Sequence, residues 1–306
     1  MPALESLKRL ISSAEDLQSV VGTMKTLAAV SIHQYEEAVS SLTDYFETIE
    51  DGLRMVLWQS PENLRLSEPN RDGGTGAIVF GSDQGMCGQF NEQVTAFALD
   101  HLREQQRGPS EPVFLVIGAR ASTRLADAGV TIDAELETPG SASGISSLVQ
   151  DALLRIDTWR TNRRLNRVVL FYNQRETASS YQPHVRQLLP VDQTHIAGLR
   201  SGRWPRRSLP THRMEGDRLF SVLIRQYLFV TLFRACAESL AGENASRIAS
   251  MQAAERNIED RLNELRTGYN QQRQTAITEE LLDVVTGFEA LIQSHHRKVA
   301  ETLSVT

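Results

Sequence analysis

Residues 247–288 read RIASMQAAERNIEDRLNELRTGYNQQRQTAITEELLDVVTGF and contain no proline. Apolar side chains recur through this stretch at helical spacing; they are Ile248, Met251, Ile258, Leu262, Leu265, Tyr269, Ile277, Leu281, Val284 and Phe288. That spacing places them along one side of an α-helix. A single narrow apolar stripe on a long helix is typical of a coiled coil, because it cannot fill a compact core.

The distribution of proline extends this helix and predicts a second one at the other end of the chain. All ten prolines lie at position 2 or between Pro61 and Pro210, and proline costs about 3 kcal/mol inside a helix. Residues 3–60 carry the same kind of apolar stripe, from Leu4 to Val56. At 1.5 Å per residue, the two helices would be roughly 80 Å and roughly 120 Å long. We expect them to pair with each other; a helical bundle with hidden turns is the alternative.

The middle of the chain has a different pattern. Three short β-rich runs, GAIVF (76–80), VFLVI (113–117) and RVVLFY (167–172), are separated by helix-like segments at 91–107, 119–128 and 145–160. Strands that alternate with helices predict a small α/β sheet of parallel character. We therefore predict an N-terminal coiled-coil helix over 1–60, a central α/β domain with flanking loops over 61–216, and a C-terminal coiled-coil helix with a tail extension over 217–306.

Composition and charge exclude several classes of protein. A net charge of −6 gives no electrostatic basis for binding nucleic acid. Two cysteines, Cys87 and Cys236, do not make a disulfide framework, which favours a reducing compartment. The N-terminus lacks the apolar stretch of a signal peptide, and no apolar run approaches the roughly 20 residues of a membrane span.

A glycine-rich stretch, GSDQGMCGQFN (81–91), lies between a predicted strand and a predicted helix, where phosphates often bind. It matches neither GxxxxGK[ST] nor GxGxxG, because its glycines stand at 81, 85 and 88. Cys87 has no histidine near it in the sequence, which disfavours a catalytic nucleophile. We expect a tight turn in which Cys87 packs as a small apolar side chain.

Residues of other catalytic or metal-binding types form no pattern. The seven histidines show no metal-ligand spacing with the cysteines, and the acidic residues of the C-terminal segment spread over its polar face. The residues alone thus predict no catalytic residue, metal, cofactor or small-molecule substrate on this chain. A non-catalytic coiled-coil adaptor or scaffold with a small α/β domain and an enzyme built on the α/β domain both remain open as alternatives.

Specific motifs resemble one family along nearly the whole chain. GSDQGMCGQFN resembles the S-[ST]-D-[RK]-G-L-C-G-x-[LF]-N loop of the γ subunits of F-type ATP synthases. Residues 238–285 are similar to the signature E-x-x-A-S-E-x-x-A-R-x-x-A-M-x-x-A-T…Y-N-x-x-R-Q-x-x-I-T-x-E-[LI] of that family. TMKTLAAV (23–30) resembles its A-M-x-M-V-A-A motif, and QLLPV (187–191) also matches.

The resemblance implies a fold, partners and a role. The terminal helices would form an antiparallel coiled coil, which is the central rotor stalk, with a Rossmann-like α/β domain at its base. Partners would be three α and three β subunits, the ε subunit and the membrane c-ring. Rotation would couple ion flow through that ring to ATP synthesis or hydrolysis on the β subunits. The chain would be a peripheral, non-catalytic subunit at the cytoplasmic face of a bacterial inner membrane.

The resemblance also implies three regions of contact with the β subunit. They comprise Met24 with Lys25, facing the β lever loop; Gln84 and Cys87, in the loop at the base of the shaft; and Arg273, Gln274, Thr278 and Glu280, higher on the shaft. Ordinary coiled-coil surface is the alternative for each of them.

The chain departs from the family where basic residues are usual, at Gly22, Ser31 and Gln84. We expect a divergent branch whose β lever is less acidic or whose rotor is less electrostatically latched. A tail from about residue 292 and a basic loop over 200–213 are further departures. The basic loop would face anionic lipid headgroups or the c-ring, or else be simply solvated.

Overall fold

The computed structural model describes residues 2–59, 74–105, 111–176, 180–201, 204 and 211–303, without the side chains of 2, 3, 201 and 290–303. Contacts divide the chain into two compact units, residues 1–23 with 252–306, and residues 24–251. The predicted domain bounds stay a prediction. Most of the predicted linker over 61–75 and of the basic loop over 200–213, and the side chains of the predicted tail, lie outside the described residues.

Seven α-helices, five strands and one short 3-10 helix make up the described residues. In chain order they are α1 (Pro2–Ser41), α2 (Thr43–Gln59), β1 (Gly74–Phe80), α3 (Phe90–Gln105), β2 (Val113–Ile117), α4 (Ala119–Asp127), β3 (Ile132–Leu136), the 3-10 helix (Ala142–Gly144), α5 (Ile145–Asn162), β4 (Leu165–Arg175), β5 (Tyr181–Leu189), α6 (Gln193–Ser201) and α7 (Gly216–Leu303). Long helices at both ends of the chain and an α/β sheet between them confirm the predicted fold class.

The N-terminal helical segment is interrupted once, which the sequence did not predict. The Leu42 N–H bonds to the carbonyl of Val39 at 3.2 Å, three residues back, and the Ser41 hydroxyl donates to the carbonyl of Ala38 at 2.9 Å. A serine hydroxyl that takes a backbone carbonyl competes with the helical hydrogen-bond ladder. These bonds lie at the interruption, which neither proline nor glycine marks in the sequence.

The sheet has the order β3-β2-β1-β4-β5. The first four strands are parallel, as predicted, and β5 runs antiparallel to β4. The prediction found β1, β2 and β4 and missed both edge strands. Edge strands are half-exposed, so β3 (IDAEL) and β5 (YQPHVRQLL) lack the continuous apolar run of a strand buried on both faces.

Alternate residues of β1 belong to two different cores. Ala77 and Val79 pack with residues of α3 and α4 on one face of the sheet. Ile78 and Phe80 pack with residues of α2, α5 and α7 on the other. The buried part of α7 approaches β4 closely at Gly242, where a Cβ atom would lie 2.9 Å from a backbone oxygen. Burial on both faces explains why the central strand is apolar throughout.

Within the unit formed by residues 1–23 and 252–306, α1 and α7 are the helices present, so each must cover the other. Leu4, Leu7 and Ile11 on α1 are half-buried, and Leu262 and Leu265 on α7 are buried. Arg266 Nη2 lies 2.7 Å from Glu15 Oε1 across the pair. These contacts have the apolar seam and flanking charges of a coiled coil.

Within the unit formed by residues 24–251, α2 runs antiparallel to the beginning of α7. The Tyr45 hydroxyl donates to Gln226 Oε1 at 2.9 Å, while Gly52, further along α2, lies against Leu223, earlier in α7. The residues Gly216–Glu289 of α7 include an 18-residue window of mean hydropathy 1.4, apolar enough by composition to cross a membrane, but half of it is buried in the protein. We expected no apolar run long enough to cross a membrane, and that expectation holds for uninterrupted apolar runs but not for mean hydropathy over this window.

Candidate functional site

The β1–α3 loop follows the carboxyl end of β1 and is closed by buried hydrogen bonds between Ser82 and Asn91. The Ser82 N–H donates to Asn91 Oδ1 at 3.0 Å, and Asn91 Nδ2 donates to Ser82 Oγ at 2.8 Å. Ser82 Oγ in turn donates to the carbonyl of Gln84 at 2.9 Å. Because buried polar groups are costly unless paired, this network defines one shape for the loop.

Asp83 ties the loop to the neighbouring part of the sheet. Its Oδ1 accepts the Ala119 N–H at 2.8 Å, and its Oδ2 accepts the Thr138 N–H at 2.7 Å and the Thr138 hydroxyl at 2.6 Å. Partial burial alone would raise the pKa of Asp83, but these hydrogen bonds outweigh burial and lower it. A carboxylate with its oxygens so occupied is a structural anchor and is unsuited to act as a general base.

The thiol of Cys87 lies inside the loop, with the residue only 2% exposed. Its Sγ lies 3.5 Å from Ser82 Oγ and 3.6 Å from Asn91 Nδ2. Burial raises the pKa of the thiol, so it stays protonated and is a poor nucleophile. The expectation that Cys87 packs as a small side chain agrees with this geometry. The predicted contact of Cys87 with the β subunit stays a prediction. Because Cys87 is buried, it is the other side chains of the loop that are available for such a contact.

Met86 is the large apolar side chain that the loop exposes, and sequence reasoning did not single it out. It is 60% exposed and has a backbone φ of 61°, in the left-handed region that disfavours residues with a Cβ. Backbone strain of this kind is concentrated at binding sites and switches. One large apolar residue between Gly85 and Gly88 in an otherwise small and polar turn was the available signal.

The loop is also fastened to α7. Ser246 Oγ donates to the carbonyl of Cys87. Gly88 has a φ of 56°, and a Cβ atom there would lie 3.2 Å from Ser250 Oγ. Glycine at 88 therefore permits both the turn and the close approach to the helix. The exposed side chains of Gln84 and Met86 are thus carried on a loop that is braced against α7.

A buried ion pair lies in α7 close to this attachment, and the sequence analysis missed it. Arg247 Nη2 contacts Glu243 Oε1, and Arg247 Nη1 donates to Asn244 Oδ1 at 3.1 Å. The two charged side chains are 10% and 8% exposed. Burial raises the pKa of Glu243, and the neighbouring guanidinium opposes that rise. The i,i+4 spacing within GENASR was the signal for the pair, and burial could not be read from it.

The other predicted contact residues fall in both units. Met24 and Lys25 are half-buried on α1, in the same unit as the loop. The remaining four, Arg273, Gln274, Thr278 and Glu280, are exposed on α7 in the unit that contains the N-terminal residues. The Thr278 hydroxyl donates to the carbonyl of Gln274 at 2.9 Å. The structure thus brings Gln84 and Cys87 together in one loop.

The far part of α7 presents apolar side chains that nothing in the described residues covers. From 270 to 289 the only half-buried residue is Ala276. The exposed apolar side chains are Ile277, Leu281, Leu282, Val284, Val285 and Phe288, between 44% and 68% exposed. Contiguous exposed apolar surface marks a site of interaction with another molecule. We call residues 270–289 of α7 the bare segment.

A second apolar row lies on α1, outside its coiled-coil seam. Leu10, Leu17 and Val20 are between 49% and 56% exposed, and Leu27 and Val30 continue the spacing at 62% and 53%. The sequence analysis assigned α1 one stripe that included Leu17; that assignment was wrong for Leu17, and the other residues of this row were missed. Among the described residues, no group of three or more His, Cys, Asp or Glu could hold a metal ion.

Comparisons with known proteins agree on one family. A family model described as ATP synthase matches residues 3–291. The ATP synthase gamma chain of Sulfurovum sp. (strain NBC37-1) is 26% identical over 310 residues, which cover 95% of this chain and all of the relative. The ATP synthase gamma chain of Glaesserella parasuis is 27% identical over 293 residues, with the same coverage.

Solved structures are similar to this chain in fold. A chain in the rotational state 3 structure of the Euglena gracilis mitochondrial ATP synthase aligns with a TM-score of 0.63 and 14% identity, over 95% of both chains. A chain in the central stalk and c-ring structure from Tetrahymena thermophila aligns with a TM-score of 0.55 and 18% identity, over 77% of this chain and 99% of the other.

Proposed function

This chain belongs to the ATP synthase gamma family, and we propose that it is the central rotor stalk of a rotary F-type ATP synthase. In that role its rotation couples ion flow through a membrane ring to ATP synthesis or hydrolysis on other subunits.

One observation supports the role above the others: the bare segment of α7. Its six large apolar side chains are exposed along one long helix, beyond the part that α1 covers. A helix in water buries its apolar stripe against something. A surrounding ring of subunits would supply that cover while leaving the helix free to turn, because contacts with large smooth apolar surfaces are not directional.

The partners that we propose are three α and three β subunits around the helices, with the ε subunit and the c-ring near the α/β domain. The complex would lie at the cytoplasmic face of a bacterial inner membrane, with this chain peripheral to the lipid. Similar proteins are ATP synthase gamma chains of bacteria, and this supports the proposed setting.

We propose that coupling works through the asymmetry of the shaft. One asymmetric helix pair inside a threefold ring meets each β subunit with a different face, so each is biased toward a different conformation. Moving a two-state element from 1:99 to 99:1 takes about 5.5 kcal/mol of differential interaction. An exposed ion pair contributes at most about 1 kcal/mol, so steric exclusion and many small contacts must supply most of it.

The side chains proposed to meet the β subunit are Met24, Lys25 and Gln84, with Arg273, Gln274, Thr278 and Glu280 on α7. To these we add Met86, because it is the large exposed side chain of the braced loop. Cys87 would act from beneath, as part of the loop's interior. The chain itself would be non-catalytic, since its most plausible nucleophile is a buried thiol and the loop's carboxylate is fully engaged.

We infer that this rotor is only weakly attracted to the β lever loop, because Gly22, Ser31 and Gln84 stand where the family usually has basic residues. A Cβ at Gly22 would meet nothing within 4 Å, and Gln84 is exposed, so both positions have room for the long basic side chains that the family usually has there. The ATPase activity of the complex should then change little with ionic strength, because few attractive charges remain to be screened. A β lever loop that is fully acidic would contradict the idea of a less acidic partner.

The experiment that tests the role is direct observation of rotation. Asp151 is exposed on α5, so an Asp151→Cys variant can carry a bead, while the native Cys87 and Cys236 are buried. Assembled with α and β subunits and immobilised through them, the chain should turn when ATP is added, and the isolated chain should hydrolyse none. ATP hydrolysis by the complex with a stationary bead would refute the proposal.

A further inference from the structure

The outer edge of β5 borders a cavity between the sheet and the helices. β5 is the last strand of the sheet, and among the described strands it pairs with β4 alone. The cavity has a volume of about 840 Å³ and is lined by residues of β5, α2, α6 and α7. That volume lies within the range of roughly 300–1,000 Å³ found for ligand sites. A smaller cavity of about 140 Å³ adjoins it and shares Phe46, Arg186 and Thr231.

Consecutive β5 residues show that the cavity meets the backbone edge of the strand. Residues 185–188 all line it, although successive side chains of a strand point to opposite faces. Val185 packs with the core on the α3 side of the sheet, whereas Arg186 lines the cavity together with Tyr227 of α7 on the other side. Because these two side chains lie on opposite faces of the sheet, a cavity that both residues line must lie along the backbone edge of β5.

The position of proline indicates which backbone groups point into the cavity. Pro183 lies in β5 opposite Asn173 of β4. Proline has no N–H to donate to a ladder and is found on edge strands with that position facing outward. Because backbone direction alternates with a period of two, the N–H groups of Val185 and Gln187 then point outward as well. Both residues line the cavity.

Among the charged side chains that line the cavity, Arg186 is the cation for which the described residues supply no carboxylate partner. Glu50 is 3.0 Å from His195 Nε2, and Asp192 accepts the Thr194 N–H at 2.9 Å at the start of α6. Arg186 is half-buried and forms no ion pair with a described carboxylate. A guanidinium pairs strongly with a carboxylate, so in a cavity that Glu50 and Asp192 also line, Arg186 is the group that can receive an acidic side chain.

We propose that β5 receives an extended segment of another subunit, which adds a strand to the sheet and places an Asp or Glu carboxylate on Arg186. Main-chain hydrogen bonds to an open edge and a pocket for one side chain are the two elements of this type of recognition. The proposal rests on the proposed function in one respect, since it requires that the chain work inside an assembly of several subunits.

Hydrogen exchange tests the docking on the full chain, alone and in its assembled complex. The Val185 and Gln187 amides should exchange freely in the isolated chain and about tenfold or more slower in the complex, because each gains a hydrogen bond. Slow exchange in the isolated chain would overturn the proposal, and so would unchanged fast exchange in the complex. Normal assembly and rotation with exposed amides would refute the docking alone, whereas failure to assemble would refute both proposals.

Two matched pairs of variants separate the edge from the charge. Gln187→Pro removes the outward N–H as well as the side chain, and Gln187→Ala removes only the side chain, whose amide donates to the Pro190 carbonyl. The slowing at Val185 should be lost in Gln187→Pro and retained in Gln187→Ala. Arg186→Ala should reduce the slowing about tenfold, and Arg186→Lys should keep most of it. Equal behaviour within both pairs would overturn the proposal.

Discussion

Replacing Met86 with glycine should raise stability and lower coupling at the same time, and comparison with an alanine variant separates these effects. Met86 has a φ of 61°, and the left-handed conformation costs a residue with a Cβ about 1–2 kcal/mol. Glycine relieves that cost but has greater freedom in the unfolded chain, worth roughly 0.5–1 kcal/mol. Because the side chain is 60% exposed, its removal forfeits little packing.

We therefore expect Met86→Gly to be about 0.5–1 kcal/mol more stable than Met86→Ala, which keeps the strained backbone but lacks the same side chain. Equilibrium unfolding of the full chain in urea, with a common slope for both variants, measures this difference. In the assembled complex the two variants should lose ion-coupled ATP synthesis to the same degree, because both lack the exposed thioether side chain.

Each half of this reasoning can fail separately. Equal stability of the two variants, or lower stability of the glycine variant, would show that the backbone at Met86 is not strained. Wild-type coupling in both variants would show that the Met86 side chain meets no partner. Loss of coupling in the glycine variant alone would point instead to loop flexibility.

Three further predictions concern α7 and the loop anchor. Glu243→Gln alone should destabilise the protein by about 3–5 kcal/mol because it leaves a buried guanidinium unpaired, whereas Glu243→Met with Arg247→Leu should come close to wild type in the same urea titration. Leu262→Ala should cost about 2–5 kcal/mol in the isolated chain, while Leu281→Ala, at an exposed position of the same helix, should leave urea stability unchanged and impair ATP-driven rotation in the complex. Asp83 has a lowered pKa when folded, so its contribution to the free energy of unfolding is complete above its unfolded pKa and is lost as pH falls through the lower folded value. Below about pH 4 the free energy of unfolding of Asp83→Asn should therefore fall less steeply with pH than that of the wild type. Equal slopes for the two proteins would contradict this.

The long helices and the central strands could be predicted from residue pattern because their signals are local and repeated. The absence of proline and the spacing of Leu262 and Leu265 indicate a helix with one apolar seam, whatever covers it. The runs at β1, β2 and β4 are apolar because both faces of those strands are buried. The edge strands lacked this signal, and neither proline nor glycine marks the interruption at Leu42 in the sequence.

The candidate site was predicted as a loop but not as an arrangement of side chains. The motif located Gln84 and Cys87, but the amino-acid sequence does not show that the Cys87 thiol points inward and the Met86 side chain outward. That difference follows from the hydrogen bonds of Ser82 and Asn91 and from the fastening of the loop to Ser246, which is 159 residues away from Cys87 in the chain. Contacts so distant in sequence leave no periodic trace.

The family, the two terminal helices and the α/β character of the middle were all readable from the order of the residues, because each rests on a short-range periodicity or a contiguous motif. Burial of the Glu243–Arg247 pair and the open edge of β5 were not. Each depends on what other parts of the chain cover or leave uncovered, and solvent exposure is a property of the packed molecule.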